Sequence, residues 1–262
     1  MTEARVIKIG SGVVRYRVEG TGEPLVLIHG LGGSTDWWVR NTGPLSRHFT
    51  VYSVDLPGFG AMRRCPTPFS VRGAVAWLRS FLNALKLDKV SFIGHSMGGL
   101  IAAIFTAEYP AQVARVVLAA PAIGLPTSSI AAYLWPITRE MVRVERSFWK
   151  TLIWDGMRAG FPTTLRASRD LLRSKIDDEL SRIETPCLLI WGERDPIVPP
   201  TLGCEIQAKI RSSRLCLLKG AGHVLMYDRA EPFNTAVVEF LTGEADVHSH
   251  RERGSVVEGT GN

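Results

Sequence analysis

Residues Val90-Ser91-Phe92-Ile93-Gly94-His95-Ser96-Met97-Gly98-Gly99-Leu100-Ile101 run from a β-branched and aromatic strand, through a turn with glycines flanking a serine, into an apolar helix. A serine hydroxyl is a poor nucleophile unless its side chain stands clear of the backbone where a base can reach it. A tight strand-to-helix corner does this, at the cost of a strained serine backbone and of strand and helix approaching too closely for side chains at positions 94 and 98. The helix starting at Met97 also aims free N–H groups at the same point, which favours developing negative charge. Ser96 is therefore the candidate nucleophile. Read instead as a chance string, the same residues would leave the matching strand and helix unexplained.

Around this corner the chain alternates strand and helix signals. Arg5–Ile9 and Val13–Val18 read as a hairpin about Gly10-Ser11-Gly12, followed by the apolar strand Leu25–Ile28 and a Gly-rich turn. A helix is expected from Thr35 or Asp36, then a strand over Phe49–Val54. Ser70 suits the N-cap of a helix whose one face carries Val71, Ala74, Val75, Leu78, Phe81, Leu82 and Leu85. Further strands are expected at Arg115–Ala119, Pro186–Trp191 and Arg214–Leu218, with helices from Thr201 and over Pro232–Leu241. Such alternation predicts an α/β fold, a mostly parallel, doubly wound sheet of about eight strands covered on both faces. From 122 to 184 strand runs disappear and helical spacing takes over, so this block is an insertion between two strands. Residues 1–121 and 185–243 then form the core, and 244–262, lacking apolar periodicity, is expected to be a disordered tail.

Composition excludes several classes. The chain has 262 residues, 45% hydrophobic and 21% charged, as an ordinary globular domain does. Its formal charge is +6, but the basic residues are interspersed with acids (Arg139-Glu140, Glu145-Arg146, Arg169-Asp170), so no nucleic-acid-binding stripe is expected. Cys65, Cys187, Cys204 and Cys216 lack zinc-ligand spacing and are expected to be reduced, buried thiols, with no metal bound. The start of the chain shows no apolar secretory core, and no run of about 18 apolar residues occurs. A soluble cytoplasmic protein without stable membrane insertion, monomeric or homodimeric, is the expectation.

A serine nucleophile needs a histidine to take its proton and an acid to orient that histidine. In a parallel sheet these come from loops at the carboxyl ends of later strands. Of six histidines, His248 and His250 lie in the tail, His48 precedes a strand, His29 belongs to an earlier loop, and His95, next to Ser96, is expected to point away from its hydroxyl. His223, in Gly220-Ala221-Gly222-His223 just after a strand, is placed correctly. For the acid, Asp195 follows the strand ending at Trp191, with Glu193 as its rival.

The order Ser96, Asp195, His223, together with His29-Gly30-Leu31-Gly32, Asp55-Leu56-Pro57-Gly58-Phe59-Gly60 and Glu231-Pro232-Phe233, resembles the α/β-hydrolase superfamily from about Val13 to Leu241. The resemblance implies an oxyanion hole formed by the Leu31 and Met97 backbone N–H groups, and a helical cap over the site at 122–184. It further implies acyl transfer without metal or organic cofactor, on a small-molecule ester of small to medium size. His29 and Gly30, beside the oxyanion loop, and Trp135, Trp149 and Trp154 of the cap are candidate substrate contacts, although aromatics at helical spacing are more often packing.

Three other readings compete. Gly30-Leu31-Gly32 followed by Asp55 outlines a nicotinamide site, but Thr35 stands where a third glycine belongs and Ser96, Asp195 and His223 go unexplained. A non-catalytic ligand receptor could use the same fold. Carbon–carbon bond hydrolases of ring-fission dienoates have similar length and cap position, yet typically carry Asn before the nucleophile and Trp after the histidine, where this chain has His95 and Val224.

Overall fold

The structure is a computed structural model that describes residues 3–10, 12–65 and 68–243; the expectation for the tail lies outside these residues. Strands β1 (Glu3–Ile9), β2 (Gly12–Glu19), β3 (Pro24–Ile28), β4 (Thr50–Val54), β5 (Val90–His95), β6 (Val113–Ala119), β7 (Cys187–Gly192) and β8 (Ser213–Leu218) form one sheet. Its order is β1-β2-β4-β3-β5-β6-β7-β8. The β1–β2 and β2–β4 pairs are antiparallel, and every pair from β4 through β8 is parallel. Parallel strands need crossovers that cover both faces, which is why β5 and β7 are apolar almost throughout rather than alternating.

The crossover helices follow from local signals. In α2 (Val71–Ala84) the Ser70 hydroxyl accepts the Gly73 N–H, and Val71, Ala74, Val75, Leu78, Phe81 and Leu82 face the core at helical spacing. Helix α3 (Met97–Glu108) is buried at every residue except Glu108, matching its lack of any polar face. Beyond the sheet's last strands lie α8 (Thr201–Lys209), α9 (Leu225–Asp228) and α10 (Ala230–Thr242). The helix expected from Thr35 is replaced by a 3₁₀ turn, Thr35–Trp38, and the single-turn α1 (Thr42–Leu45). Thr42-Gly43-Pro44 is a poor helical sequence, and Pro44 has no N–H with which to extend the ladder.

Between β6 and β7 the chain leaves the sheet for α4 (Leu134–Arg143), α5 (Arg146–Ala159), α6 (Phe161–Arg173) and α7 (Asp177–Ser181). Polar ties join this layer to the core: Ser34 Oγ donates to Asp155 Oδ2 at 2.6 Å, Trp37 Nε1 donates to the same oxygen at 3.2 Å, and the Val71 N–H donates to Asp170 at 2.6 Å. Arg40 pairs with Glu145 through both guanidinium nitrogens.

The cysteines correct one expectation. All four are free, but only Cys187 is buried, and burial pushes its thiol up. Cys216 is half-covered because β8 is an edge strand, and Cys204 is exposed on α8. Among the described residues no helix is long and apolar enough to cross a membrane.

Candidate active site

Ser96 lies where β5 turns into α3, with φ 53° and ψ −114°, a conformation that L-residues rarely adopt. The neighbouring glycines are required by contact. A Cβ on Gly98 would stand 2.3 Å from the Ile28 carbonyl oxygen, and one on Gly94 would stand 2.3 Å from the Gly98 carbonyl oxygen. No side chain fits either position. The strained serine is thus fixed between β3, β5 and α3, and its residue remains slightly open to solvent, at 8%.

The loops after β7 and β8 bring the other two groups together. Asp195 Oδ2 lies 2.7 Å from His223 Nδ1, and both residues are buried. The second oxygen of Asp195 accepts the Ile197 and Val198 N–H groups at 2.8 and 2.9 Å, while Trp191 Nε1 donates to the Val198 carbonyl at 2.8 Å, so the loop itself aims the carboxylate. The rival Glu193 turns elsewhere and accepts the Gly220 N–H. With Nδ1 committed to a carboxylate, His223 has Nε2 left for proton exchange. Burial alone would lower the affinity of His223 for a proton, but the charge and hydrogen bond of Asp195, with help from Glu140, outweigh it and raise the pKa above the ordinary value.

Ser96 and His223 line one cavity of about 250 Å³. Among the described residues Ser96 and His223 form no direct hydrogen bond. Leu31 also lines the cavity. Met97 is the first residue of α3, where an N–H has no intrahelical acceptor, and among the described residues neither the Leu31 nor the Met97 amide has a hydrogen-bond acceptor.

Other expected contacts fall differently. Gly30 packs against His95 and Ser96. His29 is fully buried behind the site, accepting the Leu56 N–H at Nε2 (3.0 Å) while Nδ1 sits 2.7 Å from the Gly30 carbonyl. It is a loop brace, and burial holds its pKa down. Trp135, Trp149 and Trp154 do not line the cavity; Trp135 is 73% exposed. Helix α5 turns Phe148 and Asp155 inward and α4 turns Glu140 inward, which leaves those tryptophans on outward faces. Asp55, which a nicotinamide site would aim at a ribose, instead accepts the Thr35 and Ala61 N–H groups, one at each oxygen, both at 2.7 Å.

Two site residues escape sequence reasoning. His95, expected to turn away, lines the cavity: its ring centre lies 4.8 Å from that of His223 with the planes tilted by 51°, and its Nε2 lies 2.9 Å from the His223 carbonyl oxygen, to which it donates. Burial, reinforced by the neighbouring His223, holds its pKa well below the ordinary value, so it is neutral. Glu140 reaches the same wall from α4, and nothing in the local sequence marks it.

The geometry defines a class, an α/β protein with a strained serine at a strand-to-helix corner and a carboxylate–imidazole pair at the same sheet edge. A model of the alpha/beta hydrolase family matches residues 25–236, and the chain belongs to that family. It is 30% identical over 269 residues to 2-hydroxy-6-oxo-2,4-heptadienoate hydrolase of Pseudomonas putida, covering 92% of this chain and 96% of that one. The meta-cleavage product hydrolase of Pseudomonas fluorescens IP01 superposes with a TM-score of 0.77 at 21% identity, covering 92% and 98% of the two chains. Carboxylesterase CesB of Bacillus subtilis superposes with a TM-score of 0.73 at 23% identity, covering 93% and 92%.

Proposed function

We propose that this hydrolase cleaves neutral carboxylic esters of small to medium size through an acyl-enzyme on Ser96. The observation that carries the reading is the cavity wall. Around Ser96 and His223 it is made chiefly of residues such as Leu31, Leu125, Ile137, Leu172 and Val198, and among the described residues no lysine or arginine lines it. An apolar acyl or alcohol group gains from burial there, whereas a substrate carboxylate would lose its hydration with no cation to meet it and a carboxylate, Glu140, nearby.

In this reading His223 takes the hydroxyl proton as Ser96 Oγ bonds to the carbonyl carbon, and the carbonyl electron pair moves onto oxygen. The Leu31 and Met97 amides, held by a Gly-rich turn and a helix start, stabilise that oxyanion without reorganising; one such donor is worth on the order of 3 kcal/mol. Collapse expels the alcohol, which takes its proton from the imidazolium. Water then repeats the sequence on the acyl-enzyme and frees the acid. Asp195 keeps the imidazole oriented throughout. Residues 122–184 serve as the cap, supplying Tyr133, Ile137, Leu152 and Leu171 to the wall.

The second reading, hydrolysis of a carbon–carbon bond in a ring-fission dienoate, is favoured by the name of the Pseudomonas putida relative. One experiment separates the two: rates on a graded series of nitrophenyl esters beside a ring-fission dienoate, for the intact protein and Ser96→Ala. The expected result is ester turnover that falls by at least about three powers of ten in kcat in the folded variant. Faster turnover of the dienoate would transfer the assignment. Fluorophosphonate labelling of Ser96 with no turnover of any substrate would point to a receptor.

A further inference from the structure

Glu140 is buried, at 4% exposure, in a largely apolar wall. A carboxylate there is costly unless its lone pairs are engaged. One oxygen is: Oε1 accepts the backbone N–H of His223 at 2.6 Å and that of Val224 at 3.1 Å. The other, Oε2, has no hydrogen-bond partner among the described residues. A Cβ on Gly222 would stand 2.6 Å from either oxygen, so the carboxylate lies directly against the loop that carries the histidine.

We propose that Glu140 is a positioning residue for His223: it grips the histidine's backbone from α4 and places a second negative charge beside the imidazolium that forms when Ser96 loses its proton. The inference rests on His223 acting as the general base. The ionisable groups facing this imidazole are Asp195 on its ring, Glu140 at its backbone and the neutral ring of His95 at 4.8 Å. Among the described residues no lysine or arginine lines the cavity to offset the two acids. The charge of Glu140 adds to that of Asp195 in raising the pKa of His223. Burial, joined by the charge of Asp195, raises the pKa of Glu140 above its ordinary value; the nearby imidazole and the two amide donors work against that rise, so Glu140 and His223 each favour the charged form of the other.

A clamp that acts through hydrogen bonds alone is distinguishable from one that also acts by charge. In the full-length protein, Glu140→Gln keeps an oxygen for the two amides and removes the charge. The His223 imidazole is followed by NMR titration, its signals assigned by their loss in His223→Gln, and Ser96 labelling by a fluorophosphonate is followed against pH. The proposal expects both midpoints to move to lower pH in Glu140→Gln, with a slower labelling plateau. It also expects Gly222→Ala, which pushes the carboxylate off the loop, to move the NMR midpoint the same way; this variant decides the matter if Glu140→Gln does not fold. An unchanged His223 midpoint in the folded variants would overturn it. If the intact protein resists labelling at every pH, the serine hydrolase reading fails, while the NMR titration still tests Glu140 on its own.

Discussion

The imidazole of His223 is subject to opposing influences, and their balance has a measurable sign. Burial disfavours its charged form, while Asp195 and Glu140 favour it and prevail, so its pKa lies above the ordinary histidine value of 6.5. A general base works in its neutral form, so kcat/KM on a nitrophenyl ester should rise with pH along a limb centred above 6.5. A pH–rate profile with that limb at or below 6.5 would contradict the balance. Because the folded-state pKa is raised, the same histidine stabilises the fold below its unfolded pKa, and this contribution is lost as pH climbs through the folded value. Some of the site is legible residue by residue. Ser96 and the glycines at 94 and 98 announce a corner because steric need is local and leaves a local pattern. Glu140 does not, since its partner lies 83 positions away and a lone Glu on a charged helix looks like any solvated one. His95 misleads for a related reason: adjacency to the serine says which way a residue starts, not where its ring ends in a crowded pocket.

At the level of elements, the helices between β6 and β7 are legible in period but not in phase. On α5 Phe148 turns inward while Ile153, Trp154 and Met157 are exposed, and a polar residue, Asp155, shares the inward side at 1% exposure. It accepts from the Ser34 hydroxyl and the Trp37 indole, which stand just beyond the turn carrying Leu31. Asp155→Ala would leave both donors buried without an acceptor, and should destabilise the protein by about 2 kcal/mol, as read by urea denaturation. Asp155→Asn, which keeps an acceptor, should cost less. Equal losses for the two variants would show that the carboxylate's charge, rather than hydrogen bonding, sets this face. Burial raises the pKa of Asp155 despite the Ser34 bond, so any stability it confers through a bound proton is present at low pH and declines as the carboxylate ionises.

Across the whole molecule, the sheet was the most readable part. Its parallel strands are apolar on both faces because helices cover both, and that gives runs too uniform for a half-exposed strand. Which side chains would surround the serine was far less readable, since the cavity draws on loops after several strands and on α4 and α6 together. Its composition carries a molecular-scale prediction. A nitrophenyl ester whose acyl chain ends in a carboxylate should show kcat/KM at least about tenfold below that of the uncharged ester of equal length, because the buried charge finds no cation. Comparable rates on the pair would mean that a counter-ion reaches the pocket in solution. The excursion of the chain between β6 and β7 has one more consequence. Much of the cavity wall is encoded in a single uninterrupted stretch, whereas Ser96, Asp195 and His223 are encoded before and after it. Exchanging that stretch between relatives would change what the cavity admits and, because Glu140 travels with it, would also change the grip on the loop after β8, so the two properties are inherited together.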